Sequence, residues 1–221
     1  MKKFIILGVG IFLSIFYLVN FLKGYFFEEA YNADQMIREA KEAYPSVPEA
    51  VAIKKLSVEM SENILNSQTS KIGKQKKAAD VFLGFYLSAR YKDEYCRDLG
   101  VDISSFSSLF NKLHAKEYAK AIDVQEYSTS EIDDLYRKIK PQMNKVIILS
   151  MQHDAAEAGL SIAQVCQVMD AYSAIIVPED HFSNVSPVVY ESLMYNIEDD
   201  FDILRGDDVS QFLKNLETGT R

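Results

Sequence analysis

The chain reads as all-α: one N-terminal transmembrane helix followed by an exported domain of about six to eight helices. Three observations carry this. Phe4 to Leu22 is an uncharged, mostly apolar block. Beyond it, apolar residues recur at steps of three and four, the spacing of one helix face. Glycine and proline together number 14 of 221 residues, too few for the turns of an all-β fold.

The block at 4–22 is nineteen residues long, about 28 Å as a helix at ~1.5 Å per residue, close to a hydrocarbon core of about 30 Å. It exceeds the ~7–15 apolar residues of a cleaved signal peptide, and Lys23-Gly24-Tyr25-Phe26-Phe27 offers no small-residue cleavage site. An uncleaved signal anchor is expected. Lys2, Lys3 and the amino terminus precede it and only Lys23 follows, so the N-terminus should stay cytoplasmic and the rest be exported. The expected location is a bacterial inner membrane, crossed once, with a periplasmic domain. The divisions are 1–23 for stub and anchor, 24–47 for a helical stalk, and 48–221 for the domain.

Residues 28–44 form the charged stalk helix, ended by Pro45 and Pro48. Pro48 opens the next helix, whose buried stripe is Ile53, Leu56, Met60 and Ile64. After a polar connector at 66–73, with Thr69 and Ser70 as cap candidates, a helix over about 74–98 is apolar almost all round. Ala78, Val81, Phe82, Phe85, Tyr86 and Ala89 are joined there by Leu83 and Leu87, predicting the most buried element. Gly100 stops it and Asp102 caps a helix over 103–122 that buries Ile103, Phe106, Phe110 and Leu113. Ser128 and Glu131 make a capping box ahead of a long helix, in which Pro141 predicts a kink or break. Gly159 ends it, Ser161 opens a helix to about 173, and a loop is expected around PEDHFSNVS. Pro187 begins a last core helix with Tyr190, Leu193, Ile197, Phe201 and Leu204.

Residues 24–221 hold 21 Lys/Arg against 32 Asp/Glu, a net charge of −11. That argues against nucleic acid as a partner, since its phosphates demand a basic surface. Lys71, Lys74, Lys76 and Lys77 are the basic exception, read as a solvated helix start with a docking patch as the alternative. Cys96 and Cys166 are the only cysteines. In an oxidising compartment they either form one bridge or remain two buried helical thiols.

Catalytic signatures are not found: no H-E-x-x-H, no G-x-S-x-G, no glycine-rich phosphate loop. His153, Asp154 and Glu157 are read as surface polar positions rather than a metal site. Glu198, Asp199, Asp200 and Asp202 open the densest acidic run, which lacks the alternating ligands of a calcium loop. They are read first as a solvated helix face and second as a candidate surface for a basic protein partner. No cofactor, metal or small-molecule substrate is implied.

Phe82-Leu83-Gly84-Phe85-Tyr86-Leu87-Ser88-Ala89 resembles the signature of the lipase-specific foldases, with Asp80, Leu83 and Gly84 standing where that signature has Arg, Phe and Asp. The resemblance implies a helical, inner-membrane-anchored steric chaperone that folds a secreted enzyme in the periplasm, with Phe82, Phe85 and Tyr86 as partner contacts. The expected function is therefore protein binding without chemistry: a chaperone or accessory factor for one exported client. The alternatives are an immunity or inhibitor protein against a toxin effector, and an envelope scaffold or enzyme.

Overall fold

The computed structural model describes residues 33–196, where the chain is helical with no strand among the described residues. Ten helices follow in order: α1 (Ala33–Ala43), α2 (Glu49–Asn66), α3 (Lys71–Asp98), α4 (Ser104–Leu113), α5 (Ala115–Gln125), α6 (Thr129–Ala158), α7 (Ile162–Ala171), α8 (Ser173–Glu179), α9 (Phe182–Val185) and α10 (Pro187–Met194). None is long and apolar enough to cross a membrane. The expected span at 4–22 lies outside the described residues.

α3 is the central element, and its composition explains why. An amphipathic helix has one face to bury, whereas α3 has apolar residues on nearly every side between Ala78 and Ala89. Phe82, Leu83 and Phe85 are fully buried. α5 and α10 pack along it most extensively, with α6, α2 and α4 completing its surround. Each fully buried Phe or Leu contributes roughly 1.5–3 kcal/mol. A smaller cluster joins Ala33, Met36 and Ala40 of α1 to Ala52 and Ile53 of α2 and Val146 of α6. There the Ala33 N–H donates to Gln142 Oε1 at 3.0 Å and Lys145 pairs with Asp34 at 2.5 Å, fixing α1 to the middle of α6.

Most helix ends follow local chemistry. Ser70 accepts the Gly73 N–H, while Ser128 with Glu131 and Ser161 with Gln164 form reciprocal capping boxes. Gly100 and Gly159 take positive φ, +78° and +67°, where a side chain would be strained.

Three expectations are corrected. The helix over 103–122 is divided at His114, whose ring turns inward and bonds elsewhere, as described below. Of the kink or break expected at Pro141, the break is absent: α6 runs from Thr129 to Ala158 as one helix. Pro141 and Arg137 are both exposed, so water can satisfy the Arg137 carbonyl that the proline leaves without a donor. The stretch expected as a loop around PEDHFSNVS contains the end of α8 and all of α9. The helix that Pro187 opens stops at Met194, where Tyr195 takes φ −55° and ψ 129°, and the Ile197, Phe201 and Leu204 expected to continue it lie outside the described residues. Its free carbonyls are taken instead by Gln75, which donates from Nε2 to the Leu193 and Tyr195 oxygens at 3.0 and 2.6 Å.

Candidate functional site

Two clusters of polar side chains lie inside this apolar bundle. The first gathers charges from four helices: Lys54 of α2, Lys92 of α3, Asp154 of α6, and Asp180 at the C-terminal end of α8. Lys92 is one turn from both Ser88 and Cys96, which are buried, so helical geometry turns its stem into the core. Asp154 stands one turn beyond Ser150 and Met151 on the buried stripe of α6. The three side chains Lys92, Asp154 and Asp180 are nearly inaccessible, at 4%, 3% and 6% exposure.

Burial disfavours the charged form of each. It pushes the Asp154 carboxyl up to about 7 and the Asp180 carboxyl up to about 9, with the Lys92 ammonium opposing both rises. It lowers the Lys92 ammonium to about 8 against the attraction of the two aspartates, and lowers Lys54 as well. Asp154 Oδ2 and Asp180 Oδ2 are buried without a hydrogen-bond partner. Burial thus holds the two carboxyls towards their neutral form and the two ammonium groups below their usual range. The cluster lies among α2, α3, α6 and α8, which also share the apolar core.

The second cluster surrounds two stacked imidazoles, His114 and His181, with centroids 4.9 Å apart. His114 is fully buried. Its Nδ1–H donates to the Phe110 carbonyl at 3.0 Å, and its Nε2 accepts the Phe182 N–H at 3.2 Å. Both nitrogens are thus satisfied by a neutral ring, and burial lowers its pKa to about 4. His181 lies 3.3 Å through Nε2 from Glu117 Oε1, while its Nδ1 is 2.8 Å from Ser183 Oγ and accepts the Ser183 N–H. Ser, His and Glu stand in line, but the same Nδ1 caps α9 through the Ser183 amide. The backbone N–H groups of residues 183–186 bond His181 Nδ1, the His181 carbonyl twice, and the Phe182 carbonyl. Those four amides are therefore committed to the turn rather than to a substrate oxyanion. The cluster joins α4, α5 and α9.

The residues singled out from sequence are dispersed. Phe82 and Phe85 are wholly inside, their rings packed on Phe182 at 5.1 Å each, which corrects the expectation that they face a partner. Tyr86 alone reaches the surface, half-buried and stacked on Tyr118 at 4.2 Å. Cys96 and Cys166 are joined by a disulfide between α3 and α7. Asp154 is buried rather than on the surface, while its neighbour His153 reaches Glu157 at 3.5 Å. Glu198, Asp199, Asp200 and Asp202 lie outside the described residues. Among the described residues no group of three His, Cys, Asp or Glu side chains is placed to hold a metal ion.

Lys92, Asp180, His114 and Glu117 were not singled out from sequence. The available signal was register: Lys92 between Ser88 and Cys96, and His114 four residues beyond Phe110, occupy positions where the helix pattern demands apolar side chains. No family model, curated protein or solved structure is similar enough to this chain to place it in a family.

Proposed function

We propose that this chain is a membrane-anchored, exported protein-binding domain that serves as a chaperone or accessory factor for one secreted protein. The observation that carries the reading is the bridge between Cys96 and Cys166, both buried in the core. Disulfides persist in oxidising compartments such as the bacterial periplasm and are rare in the cytosol. The apolar segment 4–22, with Lys2 and Lys3 before it, supplies a route to that compartment. The acidic balance of residues 24–221 and the run from Glu198 to Asp202 supply a surface for a basic protein partner.

Two measurements test this. An alkaline-phosphatase fusion after residue 60 should be active, and a cytosolic reporter at the same place inactive; the reverse pattern ends the reading. Capture of the full-length chain from intact cells should bring down a secreted enzyme. A toxin effector in its place would assign the chain to immunity, and recovery of cytosolic proteins alone would remove the exported role.

A further inference from the structure

α1 stands apart from the rest of the bundle. Among the described residues, the main apolar cluster takes no side chain from it. Its apolar stripe is Ala33, Met36 and Ala40, at steps of three and four. That stripe packs on Ala52 and Ile53 of α2 and Val146 of α6 as a separate, smaller cluster. An eleven-residue helix is too short to hold its shape alone in water. α1 is therefore helical because it is seated in the groove between α2 and α6.

The ties around the stripe define which helix fits that groove. The Ala33 N–H on Gln142 fixes the N-terminal end, Asp34 meets Lys145, and Lys41 meets Glu49 at 2.7 Å. Tyr44 follows, with its hydroxyl on Glu59 and its ring centroid 5.5 Å from the Lys55 ammonium. Each of these partners belongs to α2 or α6, beyond the connector at 45–48. That connector holds Pro45 and Pro48, which bias Tyr44 and Val47 towards the extended backbone of an opened hinge.

We propose that the groove between α2 and α6 is a docking site for α1 of a second copy of this chain, the two copies exchanging α1 about the connector 45–48. A second copy carries the apolar stripe, Asp34 and Lys41 at the spacing that the groove requires. Exchange keeps each of these contacts and adds only the association of two chains. A short tether presents α1 to its own groove at an effective concentration of about the millimolar order, so the closed monomer dominates in dilute solution. Copies concentrated to that level shift the balance to the exchanged pair. The exchange stands independently of the chaperone reading.

The test uses the full-length chain in mild detergent, in two charge-reversed forms. D34K/K41E changes α1 only, and E49K/K145D changes the groove only. In a closed monomer of either form, both ion pairs become like-charge contacts. In an exchanged pair of one form with the other, all the pairs become attractive. Mixed at low salt, the two forms should pair at least about tenfold more tightly in sedimentation than either pairs with itself. High salt should remove most of that difference. One chain carrying all four substitutions should return to the behaviour of the unaltered chain. Deleting Pro45, Ser46 and Val47 denies α1 its own groove and should give a dimer where the unaltered chain is monomeric. This arm decides the matter if a reversal fails to fold. Mixed forms that pair no better than the separate ones, or a hinge-deleted chain that stays monomeric, would overturn the proposal. Dimers of equal strength in every form would place the contact outside α1 and overturn it too.

Discussion

Cys96 of α3 is bonded to Cys166 of α7, with neither sulfur exposed and 70 residues of sequence between them. Closing a loop of that length removes freedom from the unfolded chain worth about 4 kcal/mol, on a chain-entropy account whose mechanism is disputed. Replacing both cysteines with alanine should lower unfolding free energy in urea by a few kcal/mol. Because exchange needs access to a sulfur, reductant without denaturant should open the bridge only at the rate of unfolding. Rapid reduction of the folded domain would place the sulfurs at the surface.

The charged cluster sets a pH dependence with a definite sign. Asp154 is raised to about 7 in the folded state, chiefly by burial. Its unfolded value is near the ordinary ~3.9. Between those values the folded state holds the proton more tightly, so this group's stability is full at low pH and lost as pH rises towards 7. The stability difference between the native chain and Asp154→Asn should therefore shift by about 2–4 kcal/mol between pH 4 and 7, in favour of the variant. Chemical denaturation across that range measures it, and a constant difference would mean that Asp154 ionises freely in the folded state.

Lys92 should show the complementary behaviour. Its ammonium faces two carboxyls that are mostly neutral at low pH and charged at high pH. Lys92→Met should grow more destabilising as pH rises from 5 to about 7, where Lys92, lowered only to about 8, is still charged and the ionising Asp154 would be left without its cation. A penalty that shrinks with pH would contradict this arrangement.

His114 contributes with the opposite slope to Asp154. Its ring is held neutral, with a folded value of about 4 against an ordinary ~6.5. Its contribution is full above ~6.5 and lost as pH falls to about 4. In NMR spectra the ring should show one tautomer, protonated at Nδ1, and no titration above pH 5. His114→Leu should cost about 1–3 kcal/mol at pH 7 by leaving the buried Phe182 N–H without an acceptor.

Phe85 is enclosed by Phe110 at 5.1 Å, His114 at 4.9 Å and Phe182 at 5.1 Å. Phe85→Ala should cost about 3–5 kcal/mol through lost burial and the cavity left behind. Phe85→Asp should abolish the near-ultraviolet dichroism of the folded domain, since an unpaired charge cannot enter that space. A folded Phe85→Asp protein that had lost its partner would return this ring to a recognition surface.

What the sequence determined by itself is the local part of this protein. Helix class, the dominance of α3, and the starts at Ser70, Ser128 and Ser161 are written in periodicity and capping chemistry, which act over three or four residues. Tertiary structure decided wherever a side chain found a better partner far along the chain. His114 divides a continuous helical pattern because Phe182, 68 residues on, offers it an N–H. α10 ends at Met194 because Gln75, 118 residues before Leu193, takes its carbonyls. Lys92 and Asp154 lie on separate helices and Asp180 caps the end of a third, and only the packing of those helices brings them together. Long-range pairing of this kind leaves no trace in a window of neighbours, because the energy that selects it exists only after the helices have met.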